Sequence, residues 1–217
     1  MPTYASLPVS FIKGEGSWLF DDKGDKYLDA LSGIAVCGLG HANPEVAQAI
    51  SKQANTLVHT SNLYHIAQQE SLANKLCDLT NMQDVFFANS GAEANEAAIK
   101  IARRFAHSQH IQNPVIVTAT NSFHGRTLST LTATGNPKVK EGFGPLPEGF
   151  CHIPYNDITA LEELAEQNKN IVAVLIEPIQ GESGINIPDE DYLTKLRLLC
   201  DQHNWLLMLD EIQSGMA

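Results

Sequence analysis

Several familiar signatures are missing from this chain. It has no Gly-Lys dipeptide, no CxxC pair, no GxGxxG run and no apolar stretch approaching the ~20 residues of a membrane span. Without Gly-Lys there is no phosphate loop of the GxxxxGK[ST] kind, which argues against nucleotide triphosphate chemistry of that design. GLGHAN begins like a dinucleotide fingerprint, but it departs from the pattern and runs into a Pro-opened helix. Basic residues are also scarce. Fourteen Lys and Arg stand against 25 Asp and Glu, for a net charge of −11, and the longest basic cluster is Arg103–Arg104. Nucleic acid and acidic membranes are therefore poor partners. Cys37, Cys77, Cys151 and Cys200 lie far apart in apolar contexts and read as buried, reduced thiols, which implies a cytosolic compartment. The N-terminus lacks a basic segment followed by an apolar one, so no secretory signal is expected.

What is present is apolar residue, 43% of the chain, enough for a substantial core. In the first thirty residues SWLF and KYLDAL flank the turn-rich DDKGD and predict a small β element. GIAVCGLGHANPEV is a Gly-rich connection. Pro44 opens a helix carrying Val46, Ile50 and Leu57, and a second helix over 67–79 aligns Leu72, Leu76 and Leu79. Short strands and helices then alternate. Strands are predicted at 85–89, 115–120, 151–154, 171–178 and 206–210. Helices are predicted over 92–107, after Asp157, and from Pro188 and Asp189 with Leu193, Leu196 and Cys200 inward. In helix 92–107 the expected apolar stripe is Ala94, Ala98, Ile101 and Phe105. IVAVLIEP is apolar on both faces, as a central parallel strand should be. The fold class is α/β with a mostly parallel open sheet. Two regions are expected: 1–60, an N-terminal segment with a linker helix, and 61–217, the first part of a large domain.

Sites in such sheets form at the carboxyl ends of the strands. Five loops meet there: NSGAEAN, TNSFHGRT, the loop after CHIP, EPIQGESG and DEIQSG. Ser90, Gly91 and Ala92 open a helix, where accessible N–H groups suit a phosphate, although Ser90 could simply cap the helix. Phe123 could cover a planar ligand or sit in the core. Arg126 could hold a carboxylate bidentately or form a surface ion pair. His124 reads equally as structural or reactive. Asp210 emerges from a buried strand, so it needs a cationic partner or donors. A metal-binding acid of the nucleotide-hydrolysing kind is excluded with the phosphate loop, and no metal is expected. A protonated ring nitrogen remains, or a structural salt bridge. A carboxylate ~4 Å away supplies roughly 4 kcal/mol at an effective dielectric of ~20, or about three pKa units. Gln213 could donate to a neighbouring oxygen. A phosphate cradle, an aromatic cover and an acid beneath a ring nitrogen together describe pyridoxal 5'-phosphate.

GIAVCGLGH, HTSNLY, NSGAEANEAAIK, SFHGRT, EPIQGESG and LDEIQSG, in that order and spacing, resemble the class III pyridoxal-phosphate aminotransferases of fold type I. The resemblance covers essentially the whole chain. GIAVCGLGH with HTSNLY tilts it toward members using N-acetylornithine or N-succinylornithine; ornithine and 4-aminobutyrate are the alternatives. It implies that Ser90, Gly91 and Ala92 bind the cofactor phosphate, Phe123 stacks on the ring and Asp210 partners the pyridinium nitrogen. It further implies that Gln213 donates near the ring hydroxyl, Arg126 clamps the substrate α-carboxylate and Glu182 helps switch between half-reactions. The implied reaction is ping-pong transfer of a side-chain amino group to 2-oxoglutarate, in arginine biosynthesis, by a cytoplasmic homodimer. One requirement is unmet. Such enzymes use a Schiff-base lysine beyond the DEIQSG-type motif, and no lysine follows Lys195 here. The resemblance thus predicts the N-terminal half of an enzyme, and residues 1–217 alone are expected not to transaminate. The rival from another class is a non-catalytic binding or assembly module.

Overall fold

The DDKGD turn is built by one buried acid. Asp21 Oδ1 accepts the N–H groups of Lys23 and Asp25 at 3.0 and 2.8 Å, and Gly24 takes the φ of +90° that the reversal requires. Around it β1 (Phe11–Glu15), β2 (Trp18–Asp21) and β3 (Lys26–Leu28) form an antiparallel sheet in that order. The structure, a computed structural model, describes residues 3–216. It divides into two compact units, one ending at Val85 and one spanning Phe86–Met216. The division expected from sequence lay at 60/61; in the structure residues 61–85 group with the first unit.

In the rest of the first unit, the Gly-rich connection contains one short turn, α1 (Ser32–Ala35). Ser32, Gly33, Ile34 and Ala35 all have φ between 51° and 64°, a left-handed run that L-residues rarely adopt. Asp29 fastens its start, accepting the Ser32 N–H at 2.8 Å and pairing with His41 Nε2 at 2.6 Å. Next, α2 (Pro44–Thr56) begins as its sequence dictates, with Pro44 in the first turn and Asn43 Oδ1 capping the N–H groups of Glu45 and Val46. α3 (Ala67–Thr80) ends on left-handed Asn81. Neither helix buries a residue. Ile50 is 65% and Leu79 71% exposed, so the predicted apolar stripes lie largely exposed, with Leu76 half-buried.

The second unit is a four-stranded parallel sheet, order β5-β4-β6-β7, built from β4 (Val115–Ala119), β5 (Phe150–Ile153), β6 (Ile171–Ile176) and β7 (Leu206–Leu209). Its helices are α4 (Gly91–Ser108), α5 (Leu128–Ala133), α6 (Ile158–Gln167) and α7 (Tyr192–His203). β6 is buried at every position. Val172 and Leu175 pack with Ile99, Ala102 and Ala106 of α4, while Val174 and Ile176 pack with Leu161, Leu196 and Trp205. That is the two-sided burial expected of IVAVLI. Asp157 caps α6 through the Ala160 N–H, as predicted.

Three local expectations fail. Residues 85–89 form no strand: the parallel sheet ends at β5 and β7, and this segment pairs with neither. A strand needs a neighbour, and apolar content alone does not supply one. The buried stripe of α4 is Asn95, Ile99, Ala102 and Ala106, one position out of phase with the predicted one, and Ile101 is 60% exposed. Finally, α7 starts at Tyr192, because residues 189–191 form a turn closed by the Tyr192 N–H on Asp189 O. Of the cysteines only Cys200 is buried; all four are free thiols.

Candidate functional site

Strand order places the site. The chain steps from β4 to β5 on one side, then crosses back to β6 on the other, so the sheet changes direction at β4. Open α/β sheets leave a crevice beyond the carboxyl ends at such a point. The loops after β4, β6 and β7 and the start of α4 converge there.

Asp210 is the centre. It leaves β7 with its N–H on Ile176 O at 2.8 Å and is 8% exposed. Its Oδ2 accepts from His124 Nδ1 at 2.8 Å and from Asn95 Nδ2 at 2.8 Å; its Oδ1 accepts the Ile212 N–H at 3.2 Å. Burial alone would raise this carboxyl, but the His124 hydrogen bond and charge, the Asn95 amide and the Ile212 N–H outweigh it and hold it below the usual carboxylate value. Asp210 is thus kept ionised in a dry place. His124 is fully buried, with Nδ1 committed to Asp210 and Nε2 facing no hydrogen-bond partner. Asn95 also donates to His124 O at 2.9 Å, tying helix α4 to the same loop. This bond explains the phase of α4: an inward asparagine sits on the buried stripe because two acceptors await it.

The loop after β4 is pinned residue by residue. Ser122 Oγ donates to Ala119 O at 2.8 Å, Phe123 N–H to Glu177 Oε2 at 3.1 Å, and His124 N–H to Thr134 Oγ1 at 2.9 Å. Gly125 has φ +127° and a Cβ there would meet Ala92 Cβ at 2.9 Å, so the loop lies against the first turn of α4. At that turn Ser90 Oγ accepts the Glu93 N–H at 3.2 Å, and Glu93 returns to Asn89 N–H at 2.7 Å, a reciprocal cap. The Gly91 and Ala92 N–H groups, being in the first turn, have no acceptor within the helix. A Cβ on Gly91 would stand 2.7 Å from Ile212, so α4 also meets the loop after β7.

The remaining predicted residues lie around this centre. Phe123 is half-buried, and the Arg126 guanidinium sits 5.9 Å from its ring centroid. Gln213 packs on Gly181, where a Cβ would fall 1.9 Å from its Oε1. Glu182 is exposed, on the loop after β6. Asn95 and Glu177 were missed from sequence. Glu177 is 7% exposed, and burial, with Asp210 and Glu182 nearby, pushes its carboxyl up to about 7 despite the Phe123 N–H. Among the described residues no group of His, Cys, Asp and Glu could hold a metal ion, and no helix is long and apolar enough to cross a membrane.

Comparison with known proteins gives this geometry a family. The acetylornithine aminotransferase of Nitrosomonas europaea is 57% identical over 217 residues, covering 100% of this chain and 55% of its own. The structure superposes on ornithine aminotransferase from Toxoplasma gondii with a TM-score of 0.94 and 35% identity, covering 100% of this chain and 51% of that one. It also superposes on N-acetylornithine aminotransferase from Stenotrophomonas maltophilia with a TM-score of 0.83 and 40% identity, covering 96% and 52%. The chain spans about half the length of the curated relatives it matches. The family model for class III aminotransferases matches residues 2–217, and the chain belongs to that family.

Proposed function

We propose that residues 1–217 form the amino-terminal part of a pyridoxal-phosphate-dependent aminotransferase of arginine biosynthesis, moving the side-chain amino group of N-acetylornithine to 2-oxoglutarate. The observation that carries this is Asp210. Its Oδ2 is occupied by two side-chain donors, while Oδ1 receives the Ile212 N–H and has a second lone pair to offer. A buried, ionised acid with one free acceptor site suits a cationic ring N–H. The α4 start supplies amides for a phosphate, close-packed at Gly91 and Gly125. These residues fit the cofactor, and a relative's structure with pyridoxal phosphate at its active site supports the same reading.

Pyridoxal phosphate, when bound, supplies the electron sink for the carbon that exchanges its amino group. With the cofactor bound, Asp210 would hold the ring nitrogen's proton, and His124 and Asn95 keep Asp210 ionised and oriented. Phe123 would cover the ring and exclude water. Ser90, Gly91 and Ala92 would receive the phosphate, and Gln213 would donate to the ring oxygen. Arg126 binds the substrate carboxylate, and Glu182 helps select between the two half-reactions. A lysine outside these residues completes the chemistry, so residues 1–217 alone do not transaminate. The full enzyme acts as a homodimer in the cytoplasm.

The test is glutamate formation by the full-length protein from 2-oxoglutarate with N-acetylornithine, N-succinylornithine, ornithine or 4-aminobutyrate as donor. N-acetylornithine is expected to give the highest kcat/KM. Asp210→Asn removes a charge interaction worth about 4 kcal/mol at ~4 Å, so kcat is expected to fall at least 100-fold. An Asp210→Asn enzyme with undiminished turnover would exclude the assigned role.

A further inference from the structure

Glu177 is a buried acid to which the mechanism above gives no task. It follows Ile176, which is in register with Leu209, so Glu177 and Asp210 leave neighbouring parallel strands at the same level and on the same face. Its main chain is fixed by Tyr155 Oη, which donates to Glu177 O at 3.0 Å. Its side chain reaches the loop after β4, where Oε2 accepts the Phe123 N–H. The loop's other anchors hold its flanks: Ser122 through Ala119 of β4, and His124 through Thr134 and Asp210. Only the Glu177 bond holds the aromatic residue's own amide to the strand next door. Burying a carboxyl costs free energy where burying methylene groups gains it, so an acid kept here at 7% exposure needs a reason beyond packing.

We propose that Glu177 is the positioning residue for Phe123, fixing the aromatic ring over the site so that cofactor affinity depends on Glu177 only through Phe123. The inference rests on the pyridoxal-phosphate reading. A carboxyl keeps an acceptor oxygen whether ionised or protonated, and so does a glutamine. What the position requires is an acceptor, and charge is secondary.

The experiment is a double-mutant cycle in the full-length protein, read by the pyridoxal phosphate dissociation constant and by the visible circular dichroism of the bound cofactor. Glu177→Met is expected to weaken binding at least tenfold and diminish the dichroic band, and Glu177→Gln to stay within threefold of the unaltered protein. In a Phe123→Ala background, Glu177→Met is expected to add less than twofold. Equal losses in both backgrounds, or a Gln variant as impaired as Met, would overturn the proposal. If the Met variant does not fold, the Gln variant decides alone: near-normal affinity with an unchanged band supports it, and a tenfold loss overturns it. Failure of the unaltered protein to bind pyridoxal phosphate would instead overturn the cofactor reading, a distinct result.

Discussion

The two units of this chain solve opposite problems with similar local means. Both have well-formed helices with legible caps: Asn43 on α2 in the first unit, Asp157 on α6 in the second. Yet the buried apolar residues, from Ile99 to Trp205, all belong to the second unit. Among the described residues of the first unit the one buried polar residue is Asp21, and Leu7, Val36, Leu39, Val58 and Leu63 are each more than 70% exposed. A fully buried side chain of this kind contributes about 1.5–3 kcal/mol, and among the described residues such burial is confined to the second unit. Local propensity is enough to shape an element. Stability comes from what covers it.

The comparison can be broken most directly in the core. Leu161→Ala, at a fully buried position, is expected to destabilise the chain by about 2–5 kcal/mol in denaturant titration. The second test is pH. Burial, with the nearby Asp210 and Glu182, holds Glu177 up at about 7 against an ordinary 4.5, so between those values the folded chain keeps a proton that the unfolded chain releases. Stability from this group is therefore fully present below about 4.5 and is lost as pH rises through about 7. The loss is up to about 3 kcal/mol, and Glu177→Gln should flatten it in urea unfolding at successive pH values. Smallest are two changes in the first unit. Asn43→Ala removes the α2 cap for about 1 kcal/mol, visible as reduced helicity. Ile50→Ala is expected to cost less than about 0.5 kcal/mol in the 217-residue chain. A cost near that of Leu161→Ala would show that α2 is covered.

Much of the fold was legible because its signals are local. IVAVLI announced a two-faced strand, and Pro44 and Asp157 announced helix starts. Residues 85–89 misled because a strand depends on its neighbour, which sequence does not reveal. The buried stripe of α4 lies one position off the apolar pattern because Asn95 turns inward, toward acceptors that come from 29 and 115 positions away. The helix carrying Val46 and Ile50 forms as its sequence predicts, and both residues are exposed in the 217-residue chain. Within the site, Asp210 was visible as an acid at the tip of an apolar run. Glu177, directly after IVAVLI, carries the same signature and could have been found by the same reasoning. His124 could not be decided from sequence, since its task follows from the contact with Asp210.

The uneven distribution of core also bears on how the polypeptide is made. Translation delivers residues in order, so the first 85 emerge before any of the segments that can collapse around β6. Until β6 and the helices that cover it have been made, the parallel sheet has no centre to assemble around.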